Sequence, residues 1–161
     1  MSIELSPLVH IEIVVRDAEK AYEFLKKIFG AEKTQIEFAN FLSSFGVAKT
    51  VHVKLSNVIL QFIEPLIDRT LWANHLKEKG PGVHNLTFIV DDINKAKKAL
   101  EQEGVKVLLE MPFDWKRLLG SDVRRDTPPV AMIGGEDIVG FRFELSENPL
   151  KNGKSPDEYF K

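Results

Sequence analysis

The chain contains no cysteine, which excludes disulfides, thiolate metal ligands and cysteine nucleophiles. Any metal must therefore be held by nitrogen and oxygen donors. There is no apolar run of about 18 residues and no basic-then-apolar N-terminal segment, so no membrane-spanning helix is expected and a cytoplasmic protein is the default. There is no surplus of one charge either. The 22 Lys and Arg stand against 24 Asp and Glu, interspersed and with a net charge of −2, so neither a nucleic-acid footprint nor a polybasic membrane anchor is expected. What is present is ordinary for a globular chain: 161 residues, 43% hydrophobic and 29% charged, enough for one compact domain with a real core.

That domain is written twice. The stretch LVHIEIVVRDAEKAYEFL, from residue 8, returns as GVHNLTFIVDDINKAKKAL, from residue 82. Placing Asp17 on Asp92 carries Ile11 to Leu86, Ile13 to Phe88, Val15 to Val90 and Leu25 to Leu100. In the first copy the pattern predicts a strand over 8–15, a helix over 18–29 capped by Asp17 and closed by Gly30, and strands over 32–38, 48–55 and 57–64. The last two strands are joined at Ser56-Asn57, and Pro65 ends the third. A helix over 68–79 bridges the copies. The second copy then runs as a strand over 83–90, a helix capped by Asp92 with Ile93, Ala96 and Leu100 inward, and strands over 105–109, 129–133 and 139–146. This gives an α+β domain of two βαβββ modules, about 8–65 and 83–147, within one domain spanning 1–161. The tail 148–161 is polar. The module-ending strands LQFIEP and FELSENP pair Gln61 with Glu144 and Glu64 with Glu147 only if the second module carries an insertion, placed within MPFDWKRLLGSDVRRDTPP.

Strand parity turns the repeat into a site. Ile11, Ile13 and Val15 point one way, toward the helix, and His10, Glu12 and Val14 the other. In the twin strand, parity sets Asn85, Thr87 and Ile89 on the face away from the helix and His84 on the helix side. The closing strands send Gln61 and Glu144 to the polar face. Four equivalent strands thus offer His10, Gln61, Asn85 and Glu144 to a common side, a plausible set for a divalent cation. His52 and His75 have no evident partner and are read as structural.

These strings, HIEIVVRD, LQFIEP, NLTFIVDD and FRFELSE in that order over about residues 8–147, resemble the vicinal oxygen chelate superfamily. That family includes glyoxalase I, extradiol dioxygenases, bleomycin-resistance proteins and, as the most similar branch, the methylmalonyl-CoA epimerases. The resemblance implies a cup-shaped mixed sheet of eight strands around one divalent ion (Co, Mn, Zn, Ni, Fe or Mg). It implies metal ligands at His10, Gln61 and Glu144. At the fourth ligand position the family has His and this chain has Asn85. Glu12 stands where the family prefers a small residue.

The chemistry so implied is proton transfer alpha to a thioester or ketone carbonyl, with the metal stabilising an enolate and a carboxylate acting as base. Glu12, two residues from His10 on the same face, and Glu37 are the candidates. Arg142, Lys54 and Arg124, the last within a basic cluster with Lys116, Arg117 and Arg125, are candidates for binding a substrate carboxylate or phosphate, and Arg142 is also a candidate partner for Glu12. The partner expected is a small molecule, such as an acyl-CoA, bound by a homodimer. The apolar stretch FANFLSSFGVA lines the cleft or a dimer contact. Two alternatives stay open: a metal-free small-molecule-binding protein of the bleomycin-resistance kind, favoured by Asn85, and an extradiol-type dioxygenase or glyoxalase I-like lyase.

Overall fold

The structure, a computed structural model, describes residues 3–34, 43, 45–111 and 126–149. The chain divides into two compact units, one of His10–His84 and the other of Met1–Val9 with Asn85–Lys161. The first unit runs β1 (His10–Val14), α1 (Ala18–Phe29), β2 (Glu32–Lys33), β3 (Ala48–Leu55), β4 (Val58–Pro65) and α2 (Leu71–Glu78). It also takes the start of β5 (Gly82–Val90). The second unit continues β5 and adds α3 (Ile93–Gln102), β6 (Val107–Met111), β7 (Val130–Ile133), α4 (Glu136–Val139) and β8 (Arg142–Glu147). This is the α+β pattern expected, with the βαβββ plan present twice.

Strand order is the same in both units. In the first it is β2-β3-β4-β1, with β1 parallel to β4 and the other pairs antiparallel. In the second it is β5-β8-β7-β6, with β5 parallel to β8. Each helix after a first strand covers one face. Val15, Ala18, Tyr22, Val51, Val53, Leu60 and Phe62 form the first core, with Ile11 and Ile13 against it. Val90, Ile93, Ala96, Ala131, Ile133 and Leu145 form the second, with Phe88, Leu100 and Phe143 against it. The inward residues are those that period-2 parity assigned. In the last turns of α1 the helical stripe does not hold: Ile28 and Phe29, which share its spacing, are exposed, as is Phe24.

The helix starts explain a recurrence that the repeat displayed but did not account for. Asp17 accepts from the Lys20 amide and Asp92 from the Lys95 amide, both at 2.9 Å, as side-chain caps do. The module-ending glutamates reach the same turns. Glu64 Oε2 accepts from the Ala18 amide at 2.9 Å, and Glu147 Oε2 from the Ile93 amide at 3.1 Å. Each helix therefore has two of its free N-terminal amides satisfied, and a carboxylate sits at its positive end. Since Glu147 is buried beside Ile93, Glu147→Ala is expected to cost about 1–3 kcal/mol, the penalty for leaving a buried donor unmet. Asp92→Ala is expected to cost only about 1 kcal/mol, as for an exposed cap. Urea midpoints of the two variants check the order.

Three features depart from the sequence pattern. Residues before β1 pair with β5: the Ser6 amide donates to Ile89 O, the Val9 amide to Thr87 O, and the Ile89 amide to Ser6 Oγ. A short helix, α4, replaces the expected start of the last strand, and the chain leaves it through Gly140 at φ +85, a left-handed turn that glycine adopts without strain. β6 begins at Val107 and its pairing with β7 shifts between Val107 and Leu109. Residues 112–125 of the proposed insertion, residues 38–42 and 44 of the FANFLSSFGVA stretch, and the tail beyond Pro149 lie outside the described residues.

Candidate functional site

Within the His10–His84 unit, the face of β1, β4 and β3 opposite the α1 core is polar at its centre. The Ser56-Asn57 turn, with Ser56 at φ +57, sets Leu55 opposite Val58, and counting back places His52 opposite Gln61. Gln61 in turn lies level with Glu12 of β1. Directly opposed residues share a face, so His10, Glu12, Gln61 and His52 are gathered on one side of three neighbouring strands. All four are buried. His10 and Gln61 are hydrogen-bonded through their side chains. The His10 and His52 rings stand edge to face with centroids 6.1 Å apart.

Burial governs the charge of these rings. Loss of water pushes the His10 imidazole down to about 4, against which the Glu12 charge and the Gln61 hydrogen bond act only in part. Burial, with repulsion from His10, pushes His52 down to about 3. Both rings are therefore neutral in the folded protein near pH 7, the state in which imidazole ligates a metal. In the metal-free protein this makes stability depend on pH. The unfolded chain takes up protons near 6.5 while the folded chain does not, so stability is expected to fall as pH drops from about 6.5 toward 4. Urea unfolding of metal-free protein across that window checks it, with His52→Phe expected to flatten the slope.

Glu12 is placed differently from a free base. Its Oε1 accepts from Trp72 Nε1 and from His84 Nδ1, both at 2.7 Å, and its side chain is 2% exposed. Trp72 and His75 lie three apart on α2 and share one face. The His84 ring packs 6.0 Å from Trp72 and 5.3 Å from His75. Parity set His84 on the helix side of its strand, away from Glu12. In the structure the chain leaves α2 through Gly80 at φ +79 and brings His84 back against Trp72, His75 and Glu12. Packing on α2 is what parity alone does not register.

In the second unit, Asn85 lies opposite Arg142 and Thr87 opposite Glu144 in the parallel β5–β8 pair. Asn85 is buried, and its Oδ1 accepts from Thr87 Oγ1 at 3.2 Å. Glu144 is half-buried. Arg142 forms an ion pair with Glu136 of α4. Lys54 is exposed on β3, on the face that carries His52, with Glu32 opposite it. Glu37 and Arg124, with Lys116, Arg117 and Arg125, lie outside the described residues.

Among the described residues no three His, Asp or Glu side chains form a group able to hold a metal ion. The expected ligand set contains only two residues of those types, His10 and Glu144, the others being amides. Of that set, the first unit supplies a buried neutral imidazole, His10, and a buried side-chain amide, Gln61. His52, read as structural for want of an evident partner, lies across from Gln61. The two-residue turn carries that signal, since it sets Leu55 opposite Val58 and so His52 across from Gln61.

Residues 9–117 match the family model of the Glyoxalase/Bleomycin resistance protein/Dioxygenase superfamily. The chain is 34% identical over 144 residues to the mitochondrial methylmalonyl-CoA epimerase of Bos taurus, covering 89% of this chain and 75% of that protein. It is 36% identical over 107 residues to the Homo sapiens enzyme, covering 66% of this chain and 58% of that protein, less than two thirds of its length. The crystal structure of the Mycobacterium tuberculosis methylmalonyl-CoA epimerase shares the fold, with a TM-score of 0.65, 20% identity, and coverage of 99% of this chain and 95% of that one. With the doubled βαβββ plan and the buried His10–Gln61 pair already in place, the chain belongs to the glyoxalase, bleomycin-resistance protein and dioxygenase superfamily.

Proposed function

We propose that the protein is a metal-dependent isomerase of the methylmalonyl-CoA epimerase kind, moving a proton alpha to the carbonyl of a thioester. The observation that carries this is the buried, neutral His10 hydrogen-bonded to Gln61 on the polar face of β1 and β4. It stands alongside curated relatives that are all methylmalonyl-CoA epimerases. His10, Gln61, Asn85 and Glu144 are the proposed holders of one divalent ion. Bound there, such an ion supplies Lewis acidity, favouring negative charge on a carbonyl oxygen.

The remaining work falls to the chain's own side chains. A carboxylate must reach the alpha carbon, take its proton and return one. Of the two carboxylates proposed for this role, Glu12 has Oε1 already occupied by Trp72 and His84, so that oxygen does not receive a substrate proton. Glu12, through its other oxygen, and Glu37 are the proposed bases, and Glu12 also ties α2 to His84. Lys54, Arg124 and Arg142 are the proposed partners of the substrate's carboxylate or phosphates. A cytoplasmic homodimer acting on an acyl-CoA completes the reading.

The test is alpha-proton exchange. Reconstituted protein is incubated in deuterated water with a panel of 2-substituted acyl-CoAs and followed by proton NMR. Loss of the alpha-proton signal from a methyl-branched malonyl thioester is expected, and no exchange with any member of the panel overturns the epimerase reading.

One observation favours a second reading, a metal-free binding protein of the bleomycin-resistance kind. Asn85 has one lone pair of its Oδ1 engaged by Thr87, and an amide oxygen binds borderline metals less well than imidazole. Under that reading, ligand affinity is the same with and without metal.

A further inference from the structure

Two buried polar atoms that meet no partner among the described residues belong to neighbouring side chains, at the β2 edge of the first unit's polar face. We infer that Thr34 and His52 hold an amide of the substrate's thiol arm, the first amide beyond the sulfur, and so favour pantetheine-type thioesters over simple alkyl ones. This rests on the acyl-CoA reading above.

The first argument is the unmet atoms. His52 is 5% exposed, yet its Nε2 has no hydrogen-bond partner among the described residues, and neither has the buried Thr34 Oγ1. Folded proteins rarely leave a buried polar atom so. A position needed only for packing is filled more cheaply by an apolar side chain, as at Val51 and Val53 on the opposite face of β3. The Thr34 amide donates to His52 O at 2.9 Å, which carries the antiparallel β2–β3 register one residue past Lys33 and Val53. Directly opposed residues share a face, so both side chains are placed to serve one ligand.

The second argument is chemistry. His52 is neutral near pH 7, so its Nε2 donates or accepts according to tautomer, and a hydroxyl does either as well. An amide matches this pair, because it offers one acceptor and one donor. A carboxylate does not, since burying its charge against two neutral groups is costly, and Lys54, a cation on this face, is exposed. The third argument is reach. A polar row runs Thr34, His52, Gln61 across β2, β3 and β4, and His10 is hydrogen-bonded to Gln61. Neighbouring strands lie about 4.8 Å apart. In a pantetheine thioester the sulfur and two carbons separate the reacting carbonyl from the first amide, a comparable span. A thioester carbonyl over His10 and Gln61 therefore sets that amide over His52 and Thr34.

The experiment follows alpha-proton exchange by the full chain, reconstituted with cobalt(II), on two methyl-branched malonyl thioesters. One is the thioester of N-acetylcysteamine, and the other is that of ethanethiol, which lacks the amide. The readout is the ratio of their kcat/KM values. Wild type is expected to favour the amide-bearing thioester. Thr34→Val and His52→Phe are each expected to cut that preference about tenfold, the effect of losing about one hydrogen bond, by raising KM and not by lowering kcat. Thr34→Ser, which keeps the hydroxyl, is expected to keep the preference. A purely structural role lowers both substrates alike and leaves the ratio at its wild-type value. Thr34→Val, a change of like shape at the sheet edge, carries the test if His52→Phe does not fold.

A folded Thr34→Val or His52→Phe protein that keeps the wild-type ratio overturns the inference and leaves the epimerase reading standing. So does a wild type that exchanges both thioesters without preference, or only the corresponding acyl-CoA. A wild type that exchanges none of the three overturns both.

Discussion

Replacing His10 with alanine is expected to slow alpha-proton exchange by on the order of 10³-fold. The reasoning starts from burial. His10 is closed off from water and hydrogen-bonded to Gln61, and its neutral ring is a ready donor. If it holds the divalent ion, its loss removes the charge that a metal places beside the reacting carbonyl, worth several kcal/mol. Each 1.36 kcal/mol is a factor of ten in rate. The effect should fall on kcat, because the charge matters most in the transition state. Under the binding-protein reading the same variant changes only ligand affinity. Exchange rates measured at saturating substrate, with urea unfolding to confirm an intact fold, separate the two.

The second large effect is on stability. Glu12→Ala is expected to cost about 3–5 kcal/mol, a large share of a typical domain's 5–15 kcal/mol. The carboxylate is the common acceptor for Trp72 Nε1 and His84 Nδ1 in the interior. Removing it strands both donors, which is worse than never having buried them. Two controls sharpen the claim. Glu12→Gln keeps an acceptor oxygen and is expected to lose about 1–2 kcal/mol. The triple change Glu12→Leu, Trp72→Phe, His84→Leu removes acceptor and donors together, and should recover much of the loss of Glu12→Ala. Urea unfolding followed by tryptophan fluorescence, or by circular dichroism where Trp72 is changed, reads all three. A cost below about 1 kcal/mol for Glu12→Ala contradicts this account of the cluster.

The repeat made much of the fold readable. Asp17 and Asp92 cap their helices as the matched motifs predict, and α1 occupies the predicted residues. The βαβββ plan appears in both units. What escaped was tertiary. Nothing in the period of residues 3–9 says that they pair with β5. The pairing of Glu64 with Glu147 was visible, but its cause was not, because an acceptor reaching a helix from a distant strand leaves no local signature. For the site, parity put His10, Glu12 and Gln61 on one face, where they are. It set His84 away from them, since parity counts strand faces and not the helix that packs on them. The place of His52 across from Gln61 was legible in principle through the Ser56-Asn57 turn, but the residue was read alone and not in register.

The most direct test is elemental analysis of the purified chain after reconstitution with cobalt or manganese, beside a His10→Ala variant treated identically. One equivalent of metal per wild-type chain, and a small fraction of that in His10→Ala, is the predicted result. A wild-type chain that keeps no stoichiometric metal would contradict it.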